Sequence, residues 1–174
     1  MPKITLSYVI TTKNKLPFLQ EVLNRLINNK KPDEEIIVID GSSTDGTQAY
    51  LSELFNRGKI DKYLSEPDKG EADGFNKAIP LACGELIMLN HLSVDVVASE
   101  GAGYYTNLNP PFKIANTTTD YKKYKQNFTP FSFSGLGLML RKSFISSQSL
   151  FNANYKAVDL EYSLRITSNK ANLA

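Results

Sequence analysis

Several ordinary pointers to function are scarce in this sequence. It has one cysteine, Cys83, so no internal disulfide can form and a reducing compartment fits. The neighbours Leu81, Ala82 and Gly84 read as core and turn, so the thiol is expected to be buried and structural, not reactive. Charge of either sign is nearly balanced, 20 Lys and Arg against 18 Asp and Glu, a net +2. That excess is too small to make nucleic acid the main partner, although local basic clusters can still hold a phosphate. Long apolar runs are missing as well. No stretch approaches the length that crosses a bilayer, so no membrane span is expected. The opening MPKITLSYVITTKN reads as a strand and not as the core of a signal peptide, which makes a cytoplasmic protein the expectation. Internal repeats and low-complexity tracts are absent too.

What remains is a soluble composition with strong local patterning. At 174 residues, 41% hydrophobic and 22% charged, the chain is the size of one domain with one core and no linker. Ile4, Leu6, Tyr8, Val9 and Ile10 form a first strand that ends at Thr11, Thr12, Lys13 and Asn14. Leu16, Leu19, Val22, Leu23, Leu26 and Ile27 then fall at helical spacing, with Pro17 suited to the first turn and Asn28, Asn29 and Pro32 ending the pattern. EIIVID, Glu35 to Asp40, has the consecutive aliphatics of a strand buried on both faces. A helix of this length between two strands makes a βαβ unit with parallel pairing.

The alternation continues. After Asp40, GSSTDGT reads as a turn and a helix start, with Ser43, Thr44 or Asp45 available as caps and Leu51, Leu54 and Phe55 as the apolar stripe. IDKYL, residues 60 to 64, is a short third strand. SEPDKGEADGFNKAI leads into a helix carrying Phe75, Ala78, Ile79 and Ala82 up to Gly84, and ELIMLN is a fourth strand. Four β/α alternations in about ninety residues point to an α/β fold, a mostly parallel, doubly wound sheet flanked by helices. Beyond it the pattern is less regular. Leu92 to Val97 fits a strand, 101 to 130 reads as loops or irregular strands, FSFSGLGLML carries two glycines where a backbone or ligand can approach, and Lys156 to Ile166 reads as a short helix.

In an open parallel sheet, ligands bind beyond the carboxyl ends of the strands, and here four strand ends finish in polar groups: Thr11 to Asn14, Asp40 to Asp45, Glu66 to Asp73, and Asn90 with His91. Each has a plainer reading when taken alone. Asp40 suits a turn or cap as well as a ribose or base, and Ser42 to Asp45 are what turns are made of. Lys69 and Lys77 suit a solvated surface, yet a lysine beside Gly70 at a helix entrance is also placed to meet a diphosphate. GSSTDG lacks the GK[ST] ending of a phosphate-binding loop, so an NTPase is not implied. Tyr121 and Tyr124 interleaved with Lys122, Lys123 and Lys125 read as a solvated face rather than a nucleic-acid or membrane surface.

VITTKNK, VIDGSSTDGT, SEPDKGEADGFNKAI, GELIMLN, FSGLGLMLRKS and AVDLEYSLRI, in this order, resemble the inverting family 2 glycosyltransferases of the GT-A fold, over residues 5 to 90 and again 133 to 166. The resemblance implies transfer of a sugar from a nucleoside diphosphate sugar, a uridine one, to a hydroxyl of a glycan, lipid-linked or protein acceptor, in polysaccharide or glycoconjugate synthesis. It divides the single domain 1–174 into a nucleotide-binding half, 1–90, and an acceptor-side half, 91–174. Thr11, Thr12 and Asn14 match the loop lining the nucleotide pocket, and Asp40 the aspartate that contacts base or ribose. Asp68, Lys69, Asp73, Asn76 and Lys77 match the region that builds more of the nucleotide and donor-sugar site. Asp159 matches the catalytic base, with Glu161 close by as the fallback.

The resemblance also implies a divalent ion, Mn or Mg, on a DxD motif after the fourth strand, because hard oxygen ligands bridge such an ion to the diphosphate. Here Asn90 is followed by His91, Leu92, Ser93, Val94 and Asp95, with no DxD, and the spacing to FSGLGLML is short, as though a metal-bearing loop were lacking. The metal ligands are therefore unassigned. A transferase that draws positive charge from Lys69, Lys77 or Arg141 is the leading reading, and a noncatalytic nucleotide-sugar or glycan binding module is the alternative. A nucleotidyltransferase would want a glycine-rich basic loop after the first strand, which TTKNKLP does not supply.

Overall fold

The computed structural model describes residues 3–91, 102–105, 112–116, 138–147 and 150–154. The first strand, β1 (Leu6–Thr12), is followed by α1 (Leu16–Asn29), β2 (Glu34–Asp40), α2 (Thr47–Asn56), β3 (Lys62–Ser65), α3 (Glu71–Leu81) and β4 (Leu86–His91). Short strands β5 (Ala102–Tyr105) and β6 (Phe112–Asn116) pair antiparallel in a separate two-stranded sheet, and β7 (Leu138–Arg141) runs into a short helix, α4 (Lys142–Ser147). The main sheet has the order β3-β2-β1-β4-β7. Its first four strands are parallel, while β7 lies antiparallel against β4. The expected α/β fold is therefore present, with one antiparallel edge strand.

The alternation of β2 explains why the sheet is covered on both faces. All seven residues of Glu34–Asp40 are buried. Ile36 and Val38 point to one side, where they pack with Ile10, Leu19 and Leu23 of α1 and Leu51 and Leu54 of α2. Ile37 and Ile39 point to the other, where Val9, Ile87 and Leu89 meet Phe75, Ala78 and Ile79 of α3, Ile145 of α4 and Phe151. Each such fully buried aliphatic removes about 2 kcal/mol worth of apolar surface from water. The chain steps outward from β1 through β2 to β3 with α1 and α2 on one face, then crosses back with α3 on the other to place β4 beside β1. That reversal leaves a crevice at the carboxyl ends of β1 and β4.

Local expectations met the structure unevenly. Pro17 stands in the first turn of α1, as its fixed φ favours. The third strand begins at Lys62, and Ile60 is buried just ahead of it. Phe55 does not complete the α2 stripe: it is 45% exposed and meets Tyr63 edge-on. Cys83 is exposed, not buried. Ala82, at the end of α3, turns to extended backbone and takes the buried position, so the following side chain points outward. The strand expected over Leu92 to Val97 and the helix expected over Lys156 to Ile166 lie outside the described residues, as do Asp95, Asp159 and Glu161.

Candidate active site

The carboxyl ends of β1, β2 and β3 are Thr12, Asp40 and Ser65, and parallel register sets them side by side: Thr12 pairs with Asp40, and Asp40 with Ser65. Asp40 is completely buried. Its carboxylate accepts hydrogen bonds from the Ser43 amide (3.1 Å to Oδ2), from the Ser43 hydroxyl through a very short contact, and from the Ser65 hydroxyl at 2.6 Å. Asp40 thus organises the turn above the sheet, the plainer of its two readings. A buried carboxylate needs such donors, because leaving one unmade costs more than making it returns.

The loops after β1 and β2 are stitched to each other. The Asn14 amide donates to Ser43 Oγ (2.7 Å), the Thr44 amide to Asn14 Oδ1 (2.8 Å) and the Leu16 amide to Asp45 Oδ2 (2.9 Å). Asn14 and Ser42 both sit at positive φ, 52° and 59°, which is uncommon for residues other than glycine, and the two bonds made by Asn14 hold it there. Asp45 also accepts from the amide and hydroxyl of Thr47, the first residue of α2, from one position before the N-cap Gly46. Burial pushes the Asp45 carboxyl up, but the Thr47 hydroxyl and the Leu16 and Thr47 amides outweigh it and hold the group below its ordinary value. Thr11 and Thr12 are both buried. The Thr11 methyl lies under Gly74, where an added Cβ would come within 2.8 Å of it. Thr12 Oγ1 has no hydrogen-bond partner among the described residues.

Asp68 folds back onto this floor. Its carboxylate lies against Gly41, so closely that a Cβ at Gly41 would fall 2.5 Å from Asp68 Oδ2. Oδ1 accepts from the Gly70 amide at 3.1 Å, and Gly70, at φ 110°, opens α3. Asp73 Oδ2 accepts from the Lys69 amide at 3.1 Å, which leads the interactions that lower its pKa, with Lys77 adding to it. Lys69 itself is exposed, and its charge also helps to lower the Asp73 pKa. Lys77 is engaged with Glu66, Asp73 and the Pro67 carbonyl.

The structure therefore brings Thr12, Asn14, Asp40, Asp68, Lys69, Asp73 and Lys77 to one edge of the sheet. Asn76 faces elsewhere: its amide donates to the Phe151 carbonyl (2.8 Å) and accepts from the Phe151 amide (2.9 Å), a two-point clamp on a segment far along the chain. Arg141 is at the opposite end. It pairs with Leu86, the first residue of β4, because β7 runs antiparallel, and its guanidinium meets Glu85 at 2.6 Å. Its charge is thus remote from the crevice, contrary to the expectation that it serves there. Gly41, Ser43 and Ser65 also shape the site, and all three lie inside the motifs VIDGSSTDGT and SEPDKGEADGFNKAI. Among the described residues no group of three or more His, Cys, Asp and Glu is placed to hold a metal ion. Nor is any helix there long and apolar enough to cross a membrane.

Comparison with known proteins gives this edge a context. Residues 7–91 match the family model described as Glycosyl transferase family 2. A poly-beta-1,6-N-acetyl-D-glucosamine synthase of Staphylococcus epidermidis is 28% identical over 101 residues, 58% of this chain and 24% of that protein. The chain thus spans about a quarter of that curated relative. Mannosyltransferase PcManGT from Pyrobaculum calidifontis, solved with GDP-Man and Mn2+, superposes with a TM-score of 0.62 at 17% identity, over 91% of this chain and 50% of that one. S. aureus TarS 1-349 superposes at 0.63 and 16% identity, over 90% and 52%. Both neighbours are GT-A glycosyltransferases, and likeness at such identity fixes the fold. Residues 7–91, just under half of the chain, are thus similar to Glycosyl transferase family 2.

Proposed function

We propose that this chain carries the donor site of an inverting glycosyltransferase, which moves a sugar from a nucleoside diphosphate sugar, a uridine one, to an acceptor hydroxyl in polysaccharide or glycoconjugate synthesis. The observation that carries the reading is the meeting of Asp40, Gly41 and Asp68 at the carboxyl edge of β1 and β2, beside the switch point of the sheet, inside the stretch that matches the family. Relatives support the donor class: TarS has been solved with UDP, and the curated relative's name is that of a synthase of an N-acetylglucosamine polymer.

The chemistry asks for a base that takes the acceptor proton as the hydroxyl attacks the anomeric carbon, and for positive charge near the departing diphosphate. Asp159 is the proposed base, with Glu161 as its fallback, and the exposed Lys69, next to Asp68 in the chain, is the proposed cation. The proposed acceptor is a glycan, a lipid-linked sugar or a protein. A Mn or Mg ion is the expected partner of the diphosphate in such proteins, but among the described residues no group of three or more His, Cys, Asp and Glu is placed to hold one.

Calorimetric titration of UDP, GDP and UDP-N-acetylglucosamine, with and without Mn, tests the reading. Uridine nucleotides should bind, and tighter binding with Mn would reveal ligands among the residues after β4. Failure to bind any nucleotide overturns it. Asp159→Asn then separates enzyme from binding module: an enzyme loses donor turnover while keeping UDP affinity, whereas a module has no turnover to lose.

A further inference from the structure

We infer that Lys77 is a positioning residue that holds the 66–70 loop, and with it Asp68, against the β2 turn, and that it does not ligate the donor diphosphate; this rests on the nucleotide-binding reading above. A lysine ammonium has three N–H donors. In Lys77 they face three acceptors on the loop and on α3: the Pro67 carbonyl at 2.8 Å, Glu66 Oε1 at 3.0 Å and Asp73 Oδ2 at 3.2 Å. Its side chain is only 20% exposed. A diphosphate could recruit it only by displacing two carboxylates that already neutralise it. Burial works against its charge, but those carboxylates prevail and raise its pKa above the ordinary lysine value, so it stays an ammonium throughout the physiological range.

What the ammonium holds is the loop that bears Asp68. At its start, the Glu66 amide donates to the Asp40 carbonyl (3.0 Å), and the Ser65 hydroxyl to the Asp40 carboxylate. At its end, Gly70 and Lys69 amides donate to Asp68 and Asp73. Between these anchors the Pro67 carbonyl and the Glu66 carboxylate are tied to the helix by Lys77. Without the ammonium, Glu66 and Asp73 become two like charges facing one gap, and the loop relaxes away from α3. Asp68 then leaves Gly41, which alters the pocket for the whole nucleotide and not for its phosphates alone.

Uridine, UMP and UDP titrated onto the full chain distinguish the roles. Lys77→Met is expected to weaken all three by the same factor, about tenfold. A loss confined to UDP, with uridine unchanged, makes Lys77 a phosphate ligand and overturns the inference. Unchanged affinity for all three, in a folded variant, makes it a stability residue only and overturns it equally. If Lys77→Met does not fold, Glu66→Ala decides: a positioning role predicts equal weakening of uridine and UDP, whereas a phosphate-ligand role predicts tighter UDP with uridine unchanged, since the lysine is freed. Wild-type protein that binds none of the three overturns the functional reading itself, an outcome distinct from any difference among variants.

Discussion

Gly41→Ala is a small perturbation that should separate the site from the fold. Gly41 is not in the left-handed region, so alanine can adopt its backbone, and reduced freedom of the unfolded chain is worth about 0.4–1 kcal/mol in favour of the variant. Against this, the new Cβ would stand 2.5 Å from Asp68 Oδ2 and 2.9 Å from Oδ1 and Cγ. Those atoms are the far end of a short side chain at a partly exposed site, so Asp68 swings out by roughly 1 Å to reach ordinary contact distance. The swing breaks its 3.1 Å bond from the Gly70 amide, a loss of about 1 kcal/mol. The two effects nearly cancel, and Tm should stay within about 4 °C of wild type. Nucleotide affinity should not survive as well. A hydrogen bond from a ligand to a carboxylate is worth about 1.5–3 kcal/mol, so UDP binding should weaken about tenfold or more. Calorimetry with UDP and thermal denaturation read the two quantities independently. Asp68→Ala supplies the control: if Gly41→Ala acts through Asp68, adding it to Asp68→Ala should cost no further affinity. Unchanged UDP binding in Gly41→Ala, or two additive losses in the double variant, refutes the placement of Asp68 in the nucleotide site.

Three other substitutions probe the frame. Gly84→Ala should lower stability by about 3 kcal/mol, a Tm loss of roughly 6–12 °C, because its Cβ would meet backbone, Ser7 N at 2.6 Å and Leu6 C at 2.8 Å, which cannot step aside; a thermal scan within 2 °C of wild type would contradict it. Asn76→Ala should cost about 2 kcal/mol in chemical denaturation, since it removes two hydrogen bonds to the Phe151 backbone, and hydrogen exchange at the Phe151 amide should accelerate; unaltered exchange would show that the clamp does not form. Glu35→Gln should flatten the acid side of the stability profile. Burial pushes the Glu35 carboxyl up, but bonds from Ser7, the Cys83 amide and Lys62 outweigh it and leave its pKa below the ordinary 4.5. A depressed carboxylate contributes stability that is complete above its unfolded pKa and is lost as pH falls through the folded one. Tm measured from pH 7 to pH 3 should therefore drop less steeply below about pH 4.5 in the variant, and superimposable profiles would sink the argument.

Short-range period and turn chemistry made the strands, the helices and the polar strand ends legible from the residues alone. Four consecutive aliphatics in EIIVID require apolar cover on both faces, and both faces are covered. Leu19 and Leu23, four residues apart, had to fall on one side of a helix, and they are buried together. The polar groups that end β1, β2 and β3 were legible as one edge of a parallel sheet for the same reason. Which of those polar groups are already consumed depends on contacts across the fold. Asp40 is met by Ser65, Lys77 by Glu66, and Asn76 by Phe151, partners that pattern cannot pair because nothing in local sequence encodes which donor lies across the sheet. Cys83 turned outward because Ala82 filled the buried place, and Arg141 went to the far end because its strand runs antiparallel to β4. A side chain's chemistry is local, but its role depends on the neighbours the fold supplies, and those neighbours lie many residues away along the chain.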